Sequence, residues 1–175
     1  MPSVNYIQGD LFTKAPQRSI LAHACNCQGA WNGGIAVTFK KQFPSTYAKY
    51  QAYCQKSDAR KLLGTTLIIP STPTDPGNHS PELQIVACLF TSSGTSANRS
   101  PEDVIVTATE KAMEDLYRQL AQNEELWDNL GVESIAELEL HMPKINAGLF
   151  GVPWGKTEAI LEAFPIQSNV YVIAE

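Results

Sequence analysis

The chain has 175 residues, 43% of them hydrophobic and 18% charged, with a formal net charge of −5. That length suits one domain with a full core and is short for two; the acidic balance, with only isolated basic pairs at Lys40-Lys41 and Arg60-Lys61, argues against direct nucleic-acid binding as the main activity. No stretch reaches the roughly 18 to 20 apolar residues of a membrane span, and Met1-Pro2-Ser3-Val4-Asn5 lacks the basic and apolar parts of a signal peptide, so a soluble intracellular protein with no membrane partner is expected.

Val4, Tyr6 and Gln8 alternate with Asn5, Ile7 and Gly9, the period of a first strand, which ends at Gly9-Asp10-Leu11. An aspartate just past a strand end accepts hydrogen bonds either from an exocyclic amine such as adenine's or from its own backbone in an Asx turn, and the residues alone favour the turn. Ile20-Leu21-Ala22-His23-Ala24-Cys25 is a continuous apolar run, the pattern of a strand covered on both faces. After the loop from Asn26 to Asn32, Gly33-Gly34 opens a helix whose apolar positions Ile35, Phe39 and Phe43 recur every four residues. Pro44 ends it, and Ser45 to Ser57 reads as a second helix with Tyr47, Tyr50 and Cys54 packed inward. Cys25 and Cys27 resemble half a metal site, but no second cysteine pair or close histidine completes it; with Cys54 and Cys88 they read as small, half-buried, reduced thiols.

Thr65 to Ile69 is a short β-branched strand, and Ser71 to Pro81 reads as a mobile loop. Gln84 to Phe90 is another buried strand that runs into Thr91-Ser92-Ser93-Gly94-Thr95-Ser96, whose hydroxyls either donate to phosphate oxygens or decorate a solvated turn. Ser100 as N-cap, Pro101 in the first turn and the acids Glu102 and Asp103 start a long helix with Val104, Ala108, Ala112, Leu116 and Leu120 on its buried face. Gln122 to Ile135, with Trp127 and Leu130, is a linking segment with some helix. Leu138, Leu140 and Met142 alternate as the end of a half-buried strand. A glycine loop follows, then Pro153 at the first position of a last helix outlined by Trp154, Ile160, Leu161 and Phe164. Val170 to Ile173 closes the sheet.

Two strand, glycine loop and helix units thus occur in one small domain. In an open α/β sheet both loops would reach the carboxyl edge of the strands, where ligands bind, and free amides at a helix start favour a phosphate or diphosphate guest. The element order predicts a three-layer α/β/α sandwich around a mixed, mostly parallel sheet.

Gly9-Asp10-Leu11, His23-Ala24-Cys25-Asn26, Gly33-Gly34-Ile35-Ala36, Leu89-Phe90-Thr91-Ser92-Ser93 and Pro143-Lys144-Ile145-Asn146-Ala147-Gly148-Leu149-Phe150-Gly151 resemble, in order and spacing, the macrodomain family of ADP-ribose binders. The likeness spans the chain apart from 71–81 and 122–136. His23 to Cys27 with Trp31, and the run Met142 to Trp154, resemble more narrowly the fungal ADP-ribose 1''-phosphate phosphatases. The resemblance implies one macrodomain over 1–175, monomeric and without a metal or other cofactor, that acts in the cytoplasm and also the nucleus on a by-product of tRNA splicing. Its implied partners are small molecules, ADP-ribose 1''-phosphate and ADP-ribose, with ADP-ribosylated proteins as a further class. Asp10, following Gly9, would take the adenine amine with Leu11 beside it. Ala24, Cys25, Asn26, Gly33, Gly34 and Ile35 would line the distal ribose, and Ala147, Gly148, Leu149, Phe150 and Gly151 with Ser92 would cradle the phosphates. Trp31, Asn32, Ala36 and Asn146 complete the binding set. Phe150 and Trp154 would wall the pocket, with Trp154 read equally well as core.

Hydrolysing a phosphate monoester requires a water aimed at phosphorus, neutralised equatorial oxygens and a tolerable leaving group, here the anomeric oxygen. Backbone amides of the glycine loops supply the neutralisation without a metal. His23 titrates near neutral pH and is the acid or base on offer, while Asn26 orients a ribose hydroxyl or a water; these two form the expected catalytic pair. A regular strand would put them on opposite faces, roughly 10 Å apart, so a core histidine is the competing reading. A rival activity is removal of ADP-ribose from glutamate side chains. The macrodomain hydrolases that do this use a lysine and an aspartate at positions matching Ser92 and Phe150, and neither residue supplies that chemistry. A binding module without turnover is the third reading.

Overall fold

The computed structural model describes residues 3–79 and 81–173. Six strands form one sheet: β1 (Val4–Gln8), β2 (Ile20–Asn26), β3 (Thr66–Pro70), β4 (Ile85–Ser92), β5 (Glu139–Met142) and β6 (Gln167–Val172), in the order β1-β6-β5-β2-β4-β3. All pairs are parallel except β3 with β4. The carboxyl ends of β1, β6, β5, β2 and β4 therefore share one edge. The last strand does not close the sheet, as expected from sequence, but is inserted between β1 and β5; that pairing is long-range and leaves no local signal.

Helices cover both faces. On one lie α1 (Leu11–Lys14), α2 (Ile35–Gln42), α3 (Pro44–Lys56) and α4 (Ala59–Leu62), whose Phe12, Phe39, Tyr50 and Leu62 pack with Leu21, Cys25, Val86 and Phe90 of the sheet. On the other lie α5 (Glu102–Gln122), α6 (Glu124–Leu130) and α7 (Trp154–Glu162), whose Ala112, Met113, Leu116, Leu126 and Leu161 meet Ile20, Ala22, Leu89, Leu140 and Val170. This is the expected three-layer α/β/α sandwich with a mostly parallel mixed sheet. Alternation along β2 explains the division: Ala22 and Ala24 face one layer while Leu21 and Cys25 face the other.

Several local expectations change. Pro44 starts α3 at its first turn rather than merely ending α2. The 71–81 loop is pinned, apart from Ser80, which lies outside the described residues: Asp75 is 2% exposed, accepts from Ser45 N at 2.9 Å and Thr72 N at 2.8 Å, and so caps α3 from a distance. Ser100 does not cap α5, whose N-cap is Pro101; its hydroxyl accepts from Ser93 N instead. The strand before the second glycine loop is buried on both faces, since His141 is covered as well as Leu140 and Met142.

Candidate functional site

β2 ends in an irregularity. Its register with β4 shifts between Cys25 and Asn26, which breaks the alternation just where the chain leaves the sheet. The Asn26 side chain then folds the next residues onto itself: Oδ1 accepts from Gln28 N at 2.9 Å, from Ala30 N at 3.4 Å and from the Tyr50 hydroxyl at 3.0 Å, and Nδ2 donates to Ala30 O at 2.6 Å. Trp31 is buried and stacked on Tyr50 at 4.9 Å. Gly34, at φ 59° and ψ −143°, adopts a conformation open to glycine and starts α2. Among the described residues the backbone amides of Asn32, Gly33, Gly34, Ile35 and Ala36 have no hydrogen-bond partner.

The second loop, from Pro143 to Pro153, is anchored differently. Asn146 sits at φ 66°, buried, with Oδ1 accepting from Thr91 Oγ1 at 2.9 Å and Nδ2 donating to Thr109 Oγ1 at 2.8 Å. Val152 N donates to Asn146 O at 2.9 Å and Gly151 N to Gly148 O at 3.0 Å. Those bonds turn the loop while leaving the amides of Gly148, Leu149 and Phe150 without partners among the described residues. The two loops touch, since a Cβ added to Gly33 would lie 2.6 Å from Leu149 Cδ1.

Between them lies a cavity of about 340 Å³, at the lower end of small-molecule sites. Of the expected residues its wall holds Ala24, Cys25, Asn26, Trp31, Asn32, Gly33, Gly34, Ile35, Ala36, Asn146, Gly148, Leu149 and Phe150. It also holds Ala30, Thr95, Ser96, Lys144 and Ile145, which the sequence reading did not place in the site. The hydroxyl-rich segment held the signal for Thr95 and Ser96. β4 runs on through Ser92, so these later hydroxyls reach the edge.

Other expected residues stand off this wall. Ser92 is fully buried; its hydroxyl donates to Gly94 O at 2.9 Å and accepts from Ser100 N at 2.9 Å, so it braces the turn rather than facing the cavity. Trp154 is half-buried, packs on the α5–α7 core and donates from Nε1 to Tyr6 Oη at 2.7 Å, the core reading. Ala147 and Gly151 flank the lining residues without joining them. Gly9, Asp10 and Leu11 lie at the end of β1, two strands from β5 and hence about 10 Å along the same edge. Leu11 is core, and Asp10 Oδ1 accepts from Phe12 N at 2.9 Å as the N-cap of α1.

The catalytic expectation for His23 is corrected. Its side chain is 0% exposed, on the α2–α3 face of β2, stacked on Phe39 at 3.9 Å and edge-on to Trp31 at 4.8 Å. Burial lowers its pKa from 6.5 to about 3, so the ring is neutral at physiological pH, and it is not part of the cavity wall. Its Nε2 lies 3.4 Å from Cys25 Sγ, and Cys88 completes a buried trio. Cys25 thus neighbours His23 and Cys88 rather than forming a half-site with Cys27, and burial pushes its thiol well above its ordinary pKa. His23, Cys25 and Cys88 form a cluster inside the core, under an aromatic layer. No carboxylate or imidazole lies on the cavity wall among the described residues. What the wall offers is backbone donors, the hydroxyls of Thr95 and Ser96, the Asn32 carboxamide and Lys144.

Comparison with known proteins agrees with this geometry. A family model described as Macro domain matches residues 22–161. The ADP-ribose 1''-phosphate phosphatase of Meyerozyma guilliermondii is 48% identical over 180 residues, spanning 99% of this chain and 100% of that protein. The protein of the same name from Debaryomyces hansenii is 47% identical, over 97% of this chain and 99% of that one. The macrodomain of Mycobacterium tuberculosis DarG shares the fold, with a TM-score of 0.67 at 18% identity over 96% of both chains.

Proposed function

This chain belongs to the macrodomain family, and from that premise we propose that it hydrolyses ADP-ribose 1''-phosphate, a by-product of tRNA splicing, to ADP-ribose and inorganic phosphate, acting as a monomer in the cytoplasm without a metal. Near-full-length relatives that carry that activity in their names support the reading. The observation that carries it is the convergence of two sets of unpartnered amides, Asn32 to Ala36 and Gly148 to Phe150, on one cavity whose wall, among the described residues, holds no carboxylate or imidazole.

Backbone donors suit phosphate oxygens, because they present fixed dipoles and need no reorganisation as charge shifts during reaction. The loose transition state of phosphoryl transfer asks little of a base, so a wall without carboxylate or imidazole does not disable it. The protein's contribution is to hold the substrate, neutralise the equatorial oxygens and leave a line of approach for water. Asn26 acts by building the first loop, with its carbonyl oxygen already accepting three hydrogen bonds. Asp10 caps α1 through Oδ1, which leaves Oδ2, free of partners among the described residues, for an adenine amine.

The test is incubation of the purified protein with ADP-ribose 1''-phosphate and, separately, with glutamate-ADP-ribosylated protein, each with and without chelator. Phosphate release unchanged by chelator is expected. Release of ADP-ribose from protein as the faster reaction, or tight ADP-ribose binding with turnover of neither, would replace the phosphatase with one of its rivals.

A further inference from the structure

Building on the phosphatase reading, we propose that Arg99 is the specificity-determining cation that grips the terminal phosphate and so separates ADP-ribose 1''-phosphate from ADP-ribose. Of the four arginines, Arg18, Arg60 and Arg118 are in ion pairs with Glu82, Asp58 and Asp115, whereas Arg99 forms none among the described residues. It is nevertheless held in place. Nη1 donates to the carbonyl of Ser96, a cavity residue, at 2.8 Å. A Cβ added to Gly151, the residue after Phe150 of the cavity wall, would lie 3.8 Å from both Nε and Nη2. The guanidinium therefore spans from the 95–99 turn to the end of the second glycine loop, at the cavity's rim.

The orientation matters. With Nη1 engaged by Ser96, the Nε–Nη2 edge, turned toward Gly151 at the end of the loop, carries no hydrogen bond among the described residues, and such an edge can form two parallel hydrogen bonds to a phosphate. The need is also clear. A phosphate monoester adds about −1.5 to −2 charge at neutral pH to a ligand already carrying a diphosphate, in a protein whose own net charge is −5. The amides of one loop segment can satisfy the diphosphate; an additional dianion calls for a further cation beside Lys144 of the wall. Arg99 approaches from the side where Phe150 and Gly151 end the loop, beyond the amides of Gly148 and Leu149.

The experiment measures calorimetric affinity for ADP-ribose 1''-phosphate at low temperature and for ADP-ribose, together with phosphate release, in the wild type, Arg99→Ala and Arg99→Lys. Arg99→Ala should weaken the phosphorylated ligand by about 10-fold to 100-fold, as expected for loss of a charge-assisted bidentate contact, with ADP-ribose affinity changed less than about 3-fold and melting temperature unchanged. Arg99→Lys should recover part of that loss, since it keeps the charge without the fork. A parallel loss for both ligands, or no loss for either, would overturn the assignment. If the wild type itself neither prefers the phosphorylated ligand nor releases phosphate, the phosphatase reading has failed, and that outcome is visible without any variant.

Discussion

Both glycine loops are organised by an asparagine, but the two asparagines act in opposite directions. Asn26 braces the first loop from within, binding Gln28 and Ala30 a few residues ahead. Asn146 turns its side chain away from its own loop and ties the second to Thr91 of β4 and Thr109 of α5. What lies beneath them differs as well. The first loop rests on an aromatic floor of Trp31, Phe39 and His23, the second on a network of hydroxyls without an ionisable group. A local brace and a core anchor reach the same end, a turn whose amides are left for a ligand, and they should fail in different ways.

Acid should separate them most. His23 is depressed to about 3 in the fold against 6.5 ordinarily, so as pH falls the unfolded chain takes up this proton first. Stability is complete above about pH 6.5 and declines toward pH 3 by about 1.4 kcal/mol per pH unit from this one group. Denaturant unfolding at pH 7 and pH 4 should show a loss of about 3 kcal/mol, and His23→Phe, which keeps the ring packing, should flatten that dependence. An unaltered slope would mean that the imidazole is not sealed under the first loop.

Asn146→Ala comes next, at about 2 to 3 kcal/mol, because it strands a buried threonine hydroxyl and puts alanine at a positive φ. Asn26→Ala should cost less stability, about 1 to 2 kcal/mol, yet weaken ADP-ribose binding, since its other bonds hold the loop and the Tyr50 hydroxyl keeps Asn26 O as a partner at 2.7 Å. Equal stability losses would erase the distinction between brace and anchor. The smallest effect on the fold belongs to Gly148→Val: nothing lies within 4 Å of the position a Cβ would take. Its melting temperature should hold while ADP-ribose affinity drops at least about tenfold, if a ligand occupies that space. Unchanged affinity would place the ligand elsewhere.

Periodicity and glycine placement carried much of the architecture. The β2 run, Phe39 of α2 with Phe43 at its C-cap, and the α5 face of Ala108, Ala112, Leu116 and Leu120 are properties of short windows, whereas Ile35 of the same repeat is exposed at the cavity. The position of β6 between β1 and β5 is not, because strand order depends on contacts across the whole chain. At the site the same division holds. The glycine loops were legible because glycine is needed where backbone approaches a ligand. The hydroxyl-rich segment from Thr91 to Ser96 gives no way to tell Ser92, the residue implied by the resemblance, from Thr95 and Ser96, because a two-residue extension of β4 has no separate sequence mark. His23 carried an ambiguous signal, since a titratable residue beside a ligand loop and one beneath it read alike until the helices that cover the strand are in place.

The central claim is that two separate backbone cradles address one ligand. It is tested most directly by following the amide resonances of the protein during titration with ADP-ribose. The account predicts that Asn32 to Ala36 and Gly148 to Phe150 shift together, with a common dissociation constant. Shifts confined to one loop, or centred on another part of the surface, would contradict it.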